Sequence, residues 1–311
     1  MSRSPLPPAL VVAPALAVLA LAGCAPGSAG TGSPAASGGT VEVLASFYPL
    51  QMVAQEVGGD RVTTGSLTPP GAEPHDVELS PAQVASVSAS QLVVYLSGFQ
   101  PAVDDAVEQA GPRHVVDAAD VADLVATEDE HTEDEHADHG DLDPHFWLDP
   151  TRVPPVADAV ADALSEIDPE GADTYRANAE ALAARLTALD EELTSGLATC
   201  ERRVVVTSHE AFGYLAARYD LEQVGISGVD PETEPSPARL REVGDVVRSE
   251  GVTTVFFETL ASPKVARTLA ADLGVETAVL DPLEGLRDDT DDYFSVSRDN
   301  LEALRVALSC S

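Results

Sequence analysis

The chain has 311 residues, with 53 Asp or Glu against 17 Lys or Arg, so its formal charge is 17 − 53 = −36. That balance excludes a nucleic-acid binder, which must neutralise a row of phosphates, and an apolar fraction of 44% excludes wholesale disorder. Lys264 is the only lysine and lies in no G-K-S/T setting, so a phosphate-binding loop is excluded too.

The first residues read as an address rather than as part of the fold. Arg3 supplies positive charge, residues 6–22 are mostly Ala, Leu, Val and Pro, and the stretch closes on L-A-G-C at 21–24. A membrane span needs about 20 consecutive apolar residues without this proline content, so residues 1–23 read as a cleaved signal peptide. The L-A-G-C ending resembles a bacterial lipobox, which makes Cys24 the expected lipid attachment site and the new N terminus. Residues 24–40 follow as a tether. Its Gly/Ser-rich part, 27–40, carries no charge and no large apolar side chain, and such a coil reaches roughly 20 Å.

From Val41 the pattern alternates. V-E-V-L-A-S-F, R-V-T-T-G-S-L, Q-L-V-V-Y-L-S and H-V-V-D-A-A are four strand-like runs, with helical segments between them at 49–57 and 80–88. A second series follows Cys200: R-V-V-V-T-S, L-E-Q-V-G-I-S, T-T-V-F-F-E and T-A-V-L-D, with helical segments at 211–219, 237–249 and 263–273. Strands alternating with helices predict an α/β chain of two lobes with mainly parallel four-stranded sheets. Between the lobes, apolar or small residues recur at Tyr175, Ala179, Leu182, Leu186, Leu189, Leu193 and Leu197, and Gly and Pro are absent from 172–195. That spacing predicts one long rigid helix of about eight turns, acting as a strut. The expected division is therefore an N-terminal lobe at 41–168, a linking helix at 169–199 and a C-terminal lobe at 200–311.

Residues 128–143 (E-D-E-H-T-E-D-E-H-A-D-H-G-D-L-D) hold nine acids, three histidines and no base, without apolar periodicity. They read as a mobile, His-rich acidic loop.

The placement of seven histidines carries the functional signal. His131, His136 and His139 lie in the acidic loop, and His114 opens a strand, where a structural role is expected. His75 sits in G-A-E-P-H-D after the second strand, His145 in D-P-H-F-W-L-D-P, and His209 in T-S-H-E-A-F-G-Y after a strand of the second series. Asp281 ends the last strand. Ligands of open parallel sheets sit outside the carboxyl ends of the strands, so a crevice between lobes can gather these four. Three imidazoles and one carboxylate suit zinc; manganese favours oxygen donors and is the weaker expectation. Glu258, at the end of T-T-V-F-F-E, is a candidate partner orienting a ligating imidazole, and Glu73 is a candidate replacement ligand.

The chain resembles the metal-binding solute receptors of bacterial ABC importers, in their zinc/manganese cluster. The matching stretches run in order from about Val41 to the end: S-F-Y-P-L, V-G-G-D-R-V, G-A-E-P-H-D, D-P-H-F-W-L-D-P, T-S-H-E-A-F-G-Y, G-I-S-G-V-D-P-E-T-E-P-S-P, F-F-E-T and A-V-L-D-P-L. The resemblance implies two α/β lobes joined by a long helix, and metal ligands at His75, His145, His209 and Asp281. Manganese-binding members place a glutamate at the third position, so His209 implies the zinc branch. It also implies that the acidic loop holds a second, weaker metal on His131, His136 and His139. The implied role is an extracytoplasmic, lipid-anchored, monomeric zinc receptor without enzymatic activity, handing Zn2+ to an ABC permease and its ATPase. Two alternatives stand beside it. A zinc hydrolase needs an open coordination position, and S-H-E-A-F-G lacks the second histidine of H-E-x-x-H. A surface adhesin or metal chaperone on the same fold is not separable by sequence.

Cys200 and Cys310 remain after the lipobox cysteine, and an outside location favours a disulfide between them that pins a C-terminal helix at 296–308.

Overall fold

A computed structural model describes residues 40–126, 142–286 and 290–311. The lipidation candidate Cys24 and the loop histidines His131, His136 and His139 lie outside the described residues.

Each strand-like run forms a strand. In the first half these are β1 (Val41–Ala45), β2 (Val62–Ser66), β3 (Leu92–Tyr95) and β4 (Val115–Asp117), and in the second β5 (Val204–Thr207), β6 (Glu222–Gly225), β7 (Thr254–Phe257) and β8 (Glu276–Val279). They build two four-stranded sheets of the same topology, β2-β1-β3-β4 and β6-β5-β7-β8, parallel throughout. Parallel strands require crossovers, and the helices provide them: α1 (Tyr48–Gly58), α2 (Pro81–Ala89) and α3 (Pro101–Ala110) in the first lobe, α6 (Gly213–Arg218), α7 (Pro237–Ser249) and α8 (Lys264–Leu273) in the second. Central strands are covered on both faces, which is why β3 and β5 read as continuous β-branched runs with Val93, Val94 and Val206 fully buried.

Local chemistry sets the helix ends. Ser80 and Gln83 form a reciprocal capping box on α2, with Pro81 in the first turn. Gly274 stops α8 in the left-handed region at φ 72°.

The long helix is α5 (Ala172–Leu197), entered through a 3-10 turn at Pro169–Gly171, so it is shorter than the 169–199 expected. Its buried residues are the seven read from the sequence, Tyr175 through Leu197. At its first half Asn178 Nδ2 donates to Val57 O (2.9 Å) and Arg185 pairs with Glu56 (2.7 Å), both on α1. At its second half Glu192 pairs with Arg298 (2.7 Å) on α9 (Tyr293–Leu308), and Gly196 leaves room for Leu301. The antiparallel neighbour α4 (Val153–Ile167) completes the layer beneath α5. One apolar core runs through residues of both lobes, including Phe47, Trp147, Leu189, Phe212 and Tyr293. Trp147 Nε1 donates to Pro282 O (2.7 Å) and Tyr293 Oη donates to Trp147 O (2.6 Å), so the two halves are pinned by buried bonds as well as by packing. Cys200 and Cys310 are joined by a disulfide that ties the end of α5 to the end of α9.

Candidate metal centre

Four loops converge beyond the strand ends. His75 lies in the segment between β2 and α2, His145 opens the 3-10 turn Phe146–Leu148, His209 follows β5, and Glu284 follows β8. One donor atom from each residue lies within 4.8 Å of the other three. Glu284 Oε1 is 3.3 Å from His75 Nε2, 3.2 Å from His145 Nε2 and 3.6 Å from His209 Nε2, and the last two nitrogens are 3.4 Å apart. Donors about 2.0–2.1 Å from a tetrahedral zinc stand about 3.3–3.4 Å from one another, so the cluster has the size of a zinc shell. The side chains of His145 and His209 are fully buried, Glu284 is 1% exposed and His75 10%.

The fourth donor of this group is Glu284, not Asp281. Asp281 is buried nearby, but its carboxylate is occupied: Oδ2 accepts from Thr259 Oγ1 (2.6 Å) and Oδ1 from the backbone N–H of Leu283 (2.8 Å). The turn that Asp281 closes holds the buried Leu283 at φ 59°, a left-handed conformation that costs a bulky residue energy. Asp281 thus stabilises the strained backbone immediately before Glu284. Nothing in L-D-P-L-E-G announces a left-handed leucine, so the sequence offered no signal beyond a second carboxylate three residues on.

Carboxylates stand behind two of the imidazoles. His145 Nδ1 bonds Asp143 Oδ1 (2.8 Å), which also accepts the His145 backbone N–H (3.0 Å). Asp143, the last residue of the stretch read as a mobile acidic loop, is buried, only 8% exposed, against this ring. Glu258 Oε1 lies 2.6 Å from His209 Nδ1, within ion-pair distance though not aligned as a hydrogen bond, and Ser208 Oγ donates to the same oxygen. With Nδ1 turned to a carboxylate, Nε2 presents its lone pair to an ion. Glu73 is not part of the donor group. Its Oε1 accepts the backbone N–H of His75 (3.0 Å) and stays 4.0 Å from His75 Nε2. His114 is remote, with Nδ1 3.9 Å from Glu166.

The electrostatics follow from burial. Desolvation alone would lower the pKa of His209, but Glu258 and Glu284 outweigh it and push it up to about 10. His145 is raised against the same desolvation by Asp143 and Glu284. Burial raises a carboxyl, yet the imidazoles of His145, His209 and His75 hold Glu284 well below its usual range. The cluster is built for positive charge. A cleft of about 890 Å3 has Glu284 in its lining together with Glu56, Asp60, Asp291 and Asp292, a single-sign wall that favours cations.

A family described as zinc-uptake complex component A, periplasmic, matches residues 43–307. The zinc-binding lipoprotein AdcA of Streptococcus pneumoniae serotype 4 is 34% identical over 278 residues, 86% of this chain and 56% of that protein. This chain therefore spans about half the length of AdcA. The high-affinity zinc uptake system protein ZnuA of Bacillus subtilis is 33% identical over 293 residues, covering 89% of this chain and 90% of that one. Among solved structures, a Zn(II)-bound mutant variant of AdcAII of Streptococcus pneumoniae superposes with a TM-score of 0.78 at 30% identity, over 87% of this chain and 99% of that chain.

Proposed function

Because the chain belongs to the family of periplasmic zinc-uptake complex component A, we propose that it is an extracytoplasmic receptor that captures Zn2+ and delivers it to an ABC permease and its ATPase. The observation that carries this reading is the buried group of His75, His145, His209 and Glu284, whose spacing suits a tetrahedral ion. In it Zn2+ is cargo. Three imidazoles favour zinc over manganese, which prefers an oxygen-rich, six-coordinate shell. Four protein donors fill the coordination sphere, and no position is left for the activated water a hydrolase needs. That supports a receptor over an enzyme.

In the finer reading the body is a monomer held to the outer face of the membrane by lipid on Cys24, after loss of residues 1–23. The L-A-G-C signal supports this, and so does the designation of AdcA as a lipoprotein. The acidic segment with His131, His136 and His139 serves as a weaker auxiliary metal site. Equilibrium competition among zinc, manganese and copper on purified protein tests the central reading. Zinc must bind with 1:1 stoichiometry at the tight site, and Glu284→Gln must weaken that site far more than His136→Ala does. Manganese retained in preference to zinc would overturn it.

A further inference from the structure

His145 and His209 each have a carboxylate at Nδ1; His75 is positioned by other means. Its ring meets the ring of Phe99 edge-on at 4.7 Å, and the next residue, Gln100, grips the backbone from below. Gln100 is 1% exposed and precedes the first turn of α3, where its carbonyl accepts from Val103 (2.8 Å) and Asp104 (3.0 Å), so its main chain is fixed. Its Nε2 donates both to Thr68 Oγ1 (2.9 Å) and to the carbonyl of Pro74 (3.0 Å), the residue before His75. Thr68 Oγ1 in turn donates to Ser46 O (2.8 Å) at the end of β1. A buried chain of bonds therefore runs from the first strand, through Thr68 and Gln100, to the peptide that carries His75.

The orientation of the amide is decided by its partners. Thr68 spends its proton on Ser46, and Pro74 O can only accept, so both groups require the NH2 side of Gln100. Oε1 is left buried and without a partner, and leaving such an acceptor unsatisfied costs stability. A leucine of similar size would remove that orphan but would strip Pro74 O and Thr68 Oγ1 of their donor. Packing alone therefore does not account for a glutamine here; a need for its two donors does.

Resting on the zinc-receptor reading above, the geometry points to Gln100 as a positioning residue for zinc capture, acting through Pro74 to fix His75 at the distance the ion requires. It touches no metal. Its donors hold the peptide before His75, while Glu73 Oε1 accepts the His75 backbone N–H (3.0 Å) on the other side of that residue.

A double-mutant cycle tests this, with zinc affinity measured by chelator competition and Co2+ absorption as a second readout. Gln100→Leu should weaken zinc binding by at least about tenfold, the scale for loss of an outer-shell partner, and should alter the Co2+ visible bands. In the His75→Ala background the same substitution should cost less than about twofold, since the residue it acts through is gone. Equal losses in both backgrounds, or no loss in either, would overturn the inference. If Gln100→Leu does not fold, Thr68→Val breaks the same chain and is read by the same comparison. Should His75→Ala by itself leave zinc affinity unchanged, the zinc-site reading fails instead, which is a different result.

Discussion

The Nε2 atoms of His145 and His209 stand 3.4 Å apart with both side chains buried, and Glu284 Oε1 faces both. Two imidazolium rings that close would repel, and only surrounding carboxylates make protonation tolerable. Asp143, Glu258 and Glu284 do so, raising both rings and taking His209 to about 10. These carboxylates favour the protonated rings of His145 and His209 over the neutral ones when no ion is bound.

Zinc must therefore displace protons, and loading at pH 7 is expected to release them. Affinity should rise with pH up to about 10, where His209 deprotonates unaided. The metal-free fold should respond in the opposite direction. A raised imidazole pKa contributes stability that is complete below the unfolded value of about 6.5 and fades as pH rises through the folded one. The thermal midpoint of metal-free protein should therefore drop between pH 6.5 and about 10, while the zinc-loaded midpoint does not. Calorimetry in buffers of different ionisation enthalpy reads the protons directly. Buffer-independent heats would contradict the scheme.

Glu284 and Asp281 are expected to separate cleanly. Glu284→Gln removes the charged donor and should cost more zinc affinity than the roughly 10–100-fold typical of outer partners. Asp281→Asn removes the partner of Thr259 or of the Leu283 N–H. It should cost stability on the scale of a buried hydrogen bond to a charged group, about 1.5–3 kcal/mol. Its zinc loss should be smaller, and the Co2+ spectrum should keep the wild-type band positions, because the donor set is intact. A changed donor spectrum in Asp281→Asn alone would reverse the assignment.

The contrast between these two residues marks what the sequence could reveal. The central strands such as β3 and β5 were legible because buried parallel strands demand runs such as L-V-V-Y and V-V-V-T, and α5 because its burial stripe keeps helical spacing over seven positions. His75, His145 and His209 were legible because histidine is scarce and each stands in a loop beyond a strand or turn. Carboxylates are abundant here, so type alone could not select one. The choice was made by a left-handed Leu283 and by the bonds that consume Asp281, both products of tertiary structure. Asp143 was misread for the same reason: within a run of acids, nothing local marks the one that turns inward to a ring nitrogen.

Asp143→Asn and Glu258→Gln should each lower zinc affinity by roughly 10–100-fold while leaving the fold intact. The amides keep the size of the carboxylates but withdraw the charge that stabilises a metal-bound imidazole. The two rings share Glu284 and one ion, so the effects should couple and depart from additivity by about 0.5–3 kcal/mol. Chelator competition on the two single variants and the double variant measures this. Strict additivity would mean instead that each carboxylate acts only through its own histidine.

The disulfide is expected to act on stability and not on the ion. Cys200 and Cys310 are 110 positions apart, so in the chain-entropy model their bond stabilises the fold by roughly 4–5 kcal/mol, often less in practice. Other contacts join the same end: Arg202 N–H donates to Leu308 O (3.1 Å) and Thr199 Oγ1 to Ser311 O (2.9 Å). The route by which the bond could reach the metal centre runs along α9, where Asn300 pairs with both backbone groups of Asp281 (2.7 and 2.8 Å). Those bonds are buried inside the core, so α9 should keep its seat when its far end is freed. Cys200→Ser with Cys310→Ser should lower the denaturation midpoint while zinc affinity stays within about twofold, as for independent sites. A larger loss of affinity would show that the C-terminal helix holds the Asp281 turn under tension, with Glu284 aimed through it.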